Sequence, residues 1–215
     1  MRRLKDGYLE AIESVVPLAG KKVLEIGCGS GSRSVQIAAR CASLAAIDPD
    51  AVRLAEARRL NPAANIDYRE GSATDLSLRN ESFDLVIFTL SLHHIPVSLM
   101  VHAITEAVRV VKKEGHVVFF EPSFEGTFFD AEIMFEAGDG DERKEKACAY
   151  YSILDNPSLQ EIAEIYDETV MQFDNMADFV ATMHPHKNLD QLDGFLASLG
   201  YALNAQRRIN IFMRR

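Results

Sequence analysis

Three glycines, Gly27, Gly29 and Gly31, stand at every second position after the apolar run Val23-Leu24-Glu25-Ile26, and the helix-competent segment 32–41 follows at once. Strand, tight turn and helix start in this order make a ligand cradle. Glycines let a ligand lie against bare backbone, and the unpaired N–H groups of the helix start face it. Acids accompany the glycines: Glu25 lies two residues before Gly27, and Asp48 closes the next apolar run, ahead of Pro49 and Asp50. Further on, His93 and His94 follow the run Phe83–Phe88, and Glu121 ends the run that starts at His116.

A carboxylate in the position of Asp48 can accept two hydrogen bonds from a ribose diol, which serves NAD and other adenosine cofactors alike. Glu25 separates these, because an acid against the turn repels a pyrophosphate and suits a cofactor with a cationic end and no phosphate. The turn reads Gly-x-Gly-x-Gly, whereas the dinucleotide fingerprint wants its third small residue one place later, a place that Ser32 only partly fills. His93 or His94 offers a general base with an unperturbed pKa of about 6.5. Packing against a ligand or capping the next helix is the favoured reading of their positions, and Glu121 has a similar alternative, as a strand-end acid that orders the segment after it. His184, His186 and Cys148 show no ligand spacing, so a loop pair and no metal site are expected there.

The elements that must position these groups are legible in order. A helix is expected over 4–16, ended by Pro17 and Gly20, then a first strand over 22–26 and a helix after the glycines. A second strand covers 44–47, Pro49 opens a helix that stops at Asn61-Pro62, and a third strand covers 65–69. The fourth strand, 83–88, is apolar nearly throughout, as a central parallel strand covered on both faces should be. A helix opened by Pro96 is expected to keep Lys112 and Lys113 in its last turn and stop at Gly115, before a fifth strand over 116–121. Strand and helix alternate through residues 22–121, which implies an α/β fold: a doubly wound, mostly parallel, Rossmann-like sheet. Ligands of such sheets bind at the carboxyl ends of the strands, where every residue singled out above lies.

Beyond Pro122 the alternation breaks. Residues 123–187 are expected as a mixed, largely helical lid insertion on the substrate side. It holds helices over 128–137 and through Ser152, a short helix opened by Pro157, a strand around Thr169, Met171 and Phe173, and a helix capped by Asn175. Its aromatics, Phe124, Phe128, Phe129, Phe135, Tyr150, Tyr151, Phe173 and Phe179, either line an apolar acceptor pocket or form the lid's own core. Residues 188–215 return to pattern with an amphipathic helix closed by Gly200 and a last strand around Ile209, Ile211 and Met213, paired with 201–206. One domain results: an N-terminal helix in 1–21, a cofactor-binding core in 22–122, the insertion, and a C-terminal segment that completes the sheet.

The 215 residues carry a net charge of −9, which disfavours nucleic acid as the main partner, since phosphate contacts need clustered Lys and Arg. Arg207, Arg208, Arg214 and Arg215 are expected as a solubilising chain end. Three cysteines without paired spacing point to a reducing compartment, the N-terminus lacks a signal-peptide core, and no apolar run approaches membrane-span length. A cytoplasmic protein with no membrane partner is expected.

Taken together, these stretches resemble the class I S-adenosylmethionine-dependent methyltransferases, specifically their small-molecule, type 11-like branch. The matching residues are 23–31, Ile47-Asp48-Pro49, Glu70-Gly71-Ser72-Ala73, Phe83-Asp84-Leu85-Val86, Leu92-His93-His94-Ile95 and 113–118, in the family's order and spacing. The resemblance covers 22–121 strongly, 189–215 loosely and the insertion hardly at all. It implies S-adenosyl-L-methionine as cofactor and methyl transfer to a small-molecule acceptor by in-line displacement. Glu25 is implied to hold the amino end of the methionyl group, directly or through water, above the backbone of Gly27, Cys28, Gly29 and Gly31. Asp48, followed by Pro49, is implied to hold the ribose. Ser72 stands where relatives often carry an acid for the adenine amino group, with the Ala73 N–H near the ring and Asp75 as a substitute. Thr89 and Leu90 are implied to wall the cofactor near its sulfur, and Tyr8 to close over it or simply pack. A cofactor-binding regulatory protein without transfer activity is an alternative. An NAD(P)-dependent oxidoreductase is disfavoured by Glu25 and by the place of the third glycine. Nucleic-acid methylation is disfavoured by charge and by Thr89-Leu90-Ser91-Leu92, which stands where an Asn/Asp-Pro-Pro-aromatic motif would.

Overall fold

A computed structural model describes residues 1–215. The segment from Lys22 to Pro122 builds the parallel part of the sheet. β2 (Lys22–Ile26), β3 (Ser43–Asp48), β4 (Ile66–Glu70), β5 (Phe83–Thr89) and β6 (Val111–Pro122) are joined by α2 (Ser34–Ala38), α3 (Ala51–Leu60) and α4 (Val97–Val110), with neighbouring strands among them parallel. Before them come β1 (Arg2–Lys5) and α1 (Tyr8–Glu13). After them come α5 (Thr127–Phe135), α6 (Arg143–Leu154), β7 (Leu159–Gln172), α7 (Met176–Met183), α8 (Leu189–Ser198) and β8 (Ala202–Arg214). The eight strands form one sheet in the order β1-β7-β8-β6-β5-β2-β3-β4.

Alternate residues of each central strand feed opposite cores. Leu85 and Ile87 of β5 pack with α1, α2 and α3 on one face, whereas Val86 and Phe88 pack with α4 and α6 on the other. Both faces are covered, so β5 is apolar at nearly every position. Burial of one such side chain contributes about 1.5–3 kcal/mol. A third, smaller core lies where α5, α7 and α8 meet the ends of β7 and β8, around Phe135, Phe173, Phe179 and Leu196.

Several expectations are corrected. Residues 2–5 form an edge strand on β7 rather than the start of a helix, and only Tyr8–Glu13 is helical. Asp50, not Pro49, caps α3, its carboxylate accepting from the N–H groups of Val52 and Arg53 at 2.8 and 3.1 Å. Lys112 and Lys113 lie in β6, where Lys112 pairs with Asp84, because α4 stops at Val110. Pro157 opens no helix. Residues 159–172 are a 14-residue strand, so the segment expected as a lid supplies a strand next to β8 in the sheet. Residues 202–214 are a single strand held between β6 and β7, not a hairpin of their own. Of the arginines expected as a solubilising tail, Arg215 is exposed but Arg207 and Arg208 are structural. Arg207 is 3% exposed and bonds the carboxylates of Asp6 and Asp167, and Arg208 lies over the Tyr150 ring. No helix is long and apolar enough to cross a membrane.

Candidate cofactor and acceptor site

The carboxyl ends of β2, β3, β4, β5 and β6 open on one cleft of about 990 Å³. Its head is the glycine turn. The N–H groups of Gly27 and Cys28 both donate to the Ile47 carbonyl, at 2.9 and 3.0 Å, which ties the turn to β3. Gly27 has φ +79°, and a Cβ there would sit 2.2 Å from the Ser91 Cβ, so only glycine lets the turn pass under the loop after β5. Gly31 is a packing glycine. It does not line the cleft, and a Cβ on it would meet the Tyr68 hydroxyl at 2.5 Å. Cys28 and Gly29 line the cleft, and burial pushes the Cys28 thiol up.

Asp48 ends β3 at the cleft wall. Its Oδ2 accepts from the Gly29 N–H at 2.7 Å and its Oδ1 from the Asp50 N–H at 2.9 Å. Each carboxylate oxygen retains a lone-pair direction for a further donor. Pro49 lies beside it on the wall. In the loop after β4, Gly71, Ser72, Ala73 and Thr74 line the cleft but Asp75 does not. The Ser72 and Thr74 hydroxyls share a hydrogen bond of 2.8 Å.

Glu25 lies beneath the turn rather than on the cleft wall. Its side chain is fully buried, with Oε2 accepting from Ser34 Oγ at 2.5 Å and Oε1 from Thr89 Oγ1 at 2.9 Å. Burial holds its carboxyl above the usual carboxylate range, with the two hydroxyls opposing. A direct bond from Glu25 to a ligand in the cleft does not fit this packing. Its link to the cleft is Thr89, which donates to it and lines the cleft together with Leu90. Leu90 takes the left-handed conformation at φ +55° while its N–H bonds the Phe120 carbonyl at 2.7 Å.

Tyr8 does not reach the cleft. It stacks on Phe120 with ring centroids 4.5 Å apart. Above this pair lies Arg33, a cleft residue that the sequence patterns did not single out, its guanidinium 5.6 Å from the Tyr8 ring and 5.4 Å from the Phe120 ring. Its Nε and Nη2 are buried without a hydrogen-bond partner, as is the Tyr8 hydroxyl. Burial lowers the Arg33 pKa from its ordinary value. Buried donors normally find partners, so these orphans mark where an anionic ligand group would fit. One signal was available: an arginine just after a glycine turn, at a helix start where a cation opposes the dipole.

The opposite wall holds the histidines. The turn Leu92–His94 between β5 and α4 is held by Glu121, whose Oε1 accepts from the N–H groups of Ser91 and Leu92 at 3.0 and 2.9 Å. Its Oε2 bonds His93 Nδ1. Burial raises the Glu121 pKa, but His93 and these donors outweigh it, and the net shift is downward. From α6 and the loop before it come Glu142 and Lys146. Glu142 lies 3.8 Å from His93 Nε2 and 3.4 Å from His94 Nδ1, and Lys146 Nζ lies 3.6 Å from Glu142 and 3.8 Å from Glu132. Burial pushes the Glu132 carboxyl up to about 7, against the pull of Lys146. Glu142 raises the His94 pKa. Sequence spacing pairs neither Glu142 nor Lys146 with the histidines, because α6 comes to them through the tertiary fold. The aromatics of the insertion divide. Phe128 and Phe129 line the cleft, Phe135, Phe173 and Phe179 fill the third core, and Tyr151 is exposed. Cys148 packs against the core that contains α4, whereas His184 ends α7.

Comparison with known proteins places this architecture. Residues 24–119 match the family model described as a methyltransferase domain. Ubiquinone biosynthesis O-methyltransferase of Ralstonia nicotianae is 37% identical over 114 residues, 52% of this chain and 47% of that protein. The protein of the same name from Azotobacter vinelandii is 38% identical over 112 residues, 51% of this chain and 47% of its own length. The chain thus spans about half the length of the curated relatives it matches. Among solved structures, a SAM-dependent methyltransferase from Methanosarcina mazei superposes with TM-score 0.63 at 14% identity, covering 95% of this chain and 96% of that one. The N-methyltransferase NodS from Bradyrhizobium japonicum, in complex with S-adenosyl-L-homocysteine, superposes with TM-score 0.57 at 16% identity, covering 96% and 85%. At these identities the structures show the fold.

Proposed function

We infer that this chain, whose residues 24–119 match a methyltransferase domain, is an S-adenosylmethionine-dependent enzyme of the class I type that transfers a methyl group to a hydroxyl of a small-molecule acceptor. The observation that carries the reading is the single cleft on which the glycine turn, Asp48 and the His93–Glu121 pair converge. The relatives named for O-methylation support a hydroxyl acceptor. When bound, S-adenosyl-L-methionine supplies a methyl group already activated on a sulfonium.

The protein's part is therefore mainly alignment, which can contribute about 7–11 kcal/mol to a barrier. Asp48 accepts from the ribose hydroxyls with its remaining lone pairs. Ser72 and Ala73, on the cleft wall, would hold the adenine. The Arg33 guanidinium, with its unpaired donors, takes the methionyl carboxylate, and Glu25 beneath the turn favours the cationic ammonium nearby. Thr89 and Leu90 would hold the cofactor near its sulfur, and Phe128, Phe129 and the histidines, which line the same cleft, would receive the acceptor. His93 and His94, with Glu142 between them, form the polar wall of the acceptor side, where an imidazole nitrogen or the Glu142 carboxylate takes the proton of the acceptor hydroxyl.

Calorimetric titration with S-adenosyl-L-homocysteine, in parallel with NAD, tests the cofactor assignment. Micromolar binding of the first and none of the second is expected. Radiolabel transfer from the methyl donor to a panel of small phenols then tests the acceptor class. No binding of S-adenosyl-L-homocysteine overturns the reading.

A further inference from the structure

The histidine wall has the composition and spacing of a metal site, although the sequence pattern gives no sign of one. His93, His94 and Glu142 each turn one ligand atom toward the others, and these atoms all lie within 4.8 Å of one another. Glu142 Oε1 lies 3.4 Å from His94 Nδ1 and its Oε2 lies 3.8 Å from His93 Nε2, near the about 3.3 Å between neighbouring ligands of a tetrahedral zinc ion with bonds near 2 Å. We propose that His93, His94 and Glu142 form a three-ligand site for a divalent ion of the zinc class, its open positions facing the cleft where an acceptor oxygen can bind.

Three independent features support it. First, His93 is preset as a ligand. Glu121 bonds Nδ1, which keeps the ring proton there and leaves the Nε2 lone pair directed at Glu142; metal-binding histidines are commonly oriented in this way by a carboxylate behind them. The Glu121 carboxylate is itself fixed by the Ser91 and Leu92 N–H groups, so the ring is held in place. Second, the surroundings are rich in negative charge. Two carboxylates, Glu121 and Glu142, flank the imidazoles, and Glu142 shares the Lys146 ammonium with Glu132. Third, the site is accessible. His94 is about half exposed on its side chain and lines the cleft with His93 and Glu142, so an ion has an entry path. Two imidazoles and one carboxylate suit a borderline ion better than magnesium or calcium, which prefer all-oxygen shells. Three protein ligands with an open position is the catalytic rather than the structural arrangement.

This deepens the proposed reaction and rests on it for the acceptor, but metal binding is measured without either. The full chain is stripped with a chelator and titrated with zinc chloride by calorimetry, then with cobalt chloride by visible absorption. The expected result is one equivalent of zinc at micromolar affinity or tighter and d–d bands of cobalt in a low-coordinate site. His94→Ala and Glu142→Gln, at positions open to the cleft, are expected to weaken zinc about 100-fold, and Glu121→Gln about 10–100-fold through loss of ring orientation. The variant His184→Ala/His186→Ala is expected to bind zinc as the parent does. No zinc binding by the parent, equal binding by His94→Ala and Glu142→Gln, or loss of binding in His184→Ala/His186→Ala overturns the site. S-adenosyl-L-homocysteine binding by the parent, measured in chelator, is expected to remain micromolar, so failure of the metal site leaves the cofactor assignment standing and the two are told apart.

Discussion

The Gly29 N–H donates to Asp48 Oδ2 at 2.7 Å, so one carboxylate both pins the glycine turn and presents its remaining lone pairs to the cleft. Asp48 Oδ1 does the same for the Asp50 N–H at 2.9 Å. The residue thus couples the shape of the turn to the groups that would meet a ribose. Asp48→Ala is expected to weaken S-adenosyl-L-homocysteine by at least about tenfold, or ~1.4 kcal/mol. Asp48→Asn, which keeps one accepting oxygen, should fall between. Calorimetry that finds all three proteins equal would remove Asp48 from the cofactor site.

Gly27 is the position where a side chain is least tolerable. A Cβ would sit 2.2 Å from that of Ser91, on a backbone with φ +79°. Gly27→Ala is expected to cost about 2–4 kcal/mol of stability, from the left-handed backbone and the clash together. Adding Ser91→Gly removes the clash but not the strain, so urea unfolding of the double variant should recover part of the loss. It should not recover all of it, because the Ser91 hydroxyl also bonds the Ile26 carbonyl at 2.7 Å.

Glu25 predicts a pH dependence. Burial raises its pKa in the folded chain, so the folded state holds the proton more tightly than the unfolded state does. Its contribution is therefore most favourable below the ordinary carboxylate pKa of about 4.3 and is lost as pH rises from there through the raised folded value. In Glu25→Gln the amide can still meet both the Ser34 and Thr89 hydroxyls, but the ionisation is gone. The variant's stability relative to the parent should grow from about pH 4 upward and then level off. Urea unfolding series that stay parallel across this range would count against a carboxyl displaced by burial.

The parallel half of the sheet was legible because its strands announce themselves in two ways. Val23–Ile26 and Phe83–Phe88 are apolar at nearly every position, and Gly27, Asp48 and Glu121, residues whose chemistry needs a strand terminus, stand at or next to the ends of β2, β3 and β6. The other half was harder. In β7, Gln160, Glu161, Glu164, Asp167 and Glu168 interrupt the apolar pattern, because much of that strand faces solvent and its acids pair with β8 partners such as Asn210 and Arg207. Arg207 and Arg208 read as a charged tail for the same reason: burial of an arginine depends on partners such as Asp6 and Tyr150, 201 and 58 residues away respectively. The site divides likewise. The glycine turn and Asp48 are local in sequence, whereas Glu142 reaches the histidines only through the packing of α6 near the Leu92–His94 turn.

Arg33 gives the most discriminating test of how the cofactor would lie. Its guanidinium is buried over Tyr8 and Phe120 with Nε and Nη2 unpaired, an arrangement costly to the free protein and useful only when an anion arrives. Arg33→Met keeps the packing over the rings and removes the charge. Its thermal stability without ligand should match or exceed that of the parent. Its affinity for S-adenosyl-L-homocysteine should fall about tenfold or more, since a charge-assisted bond to a carboxylate is lost. Its affinity for 5′-methylthioadenosine, which has the nucleoside and sulfur but no amino-acid end, should not change. Equal losses for both ligands would mean that Arg33 acts by shaping the turn, and the methionyl carboxylate would then have to be sought elsewhere in the cleft.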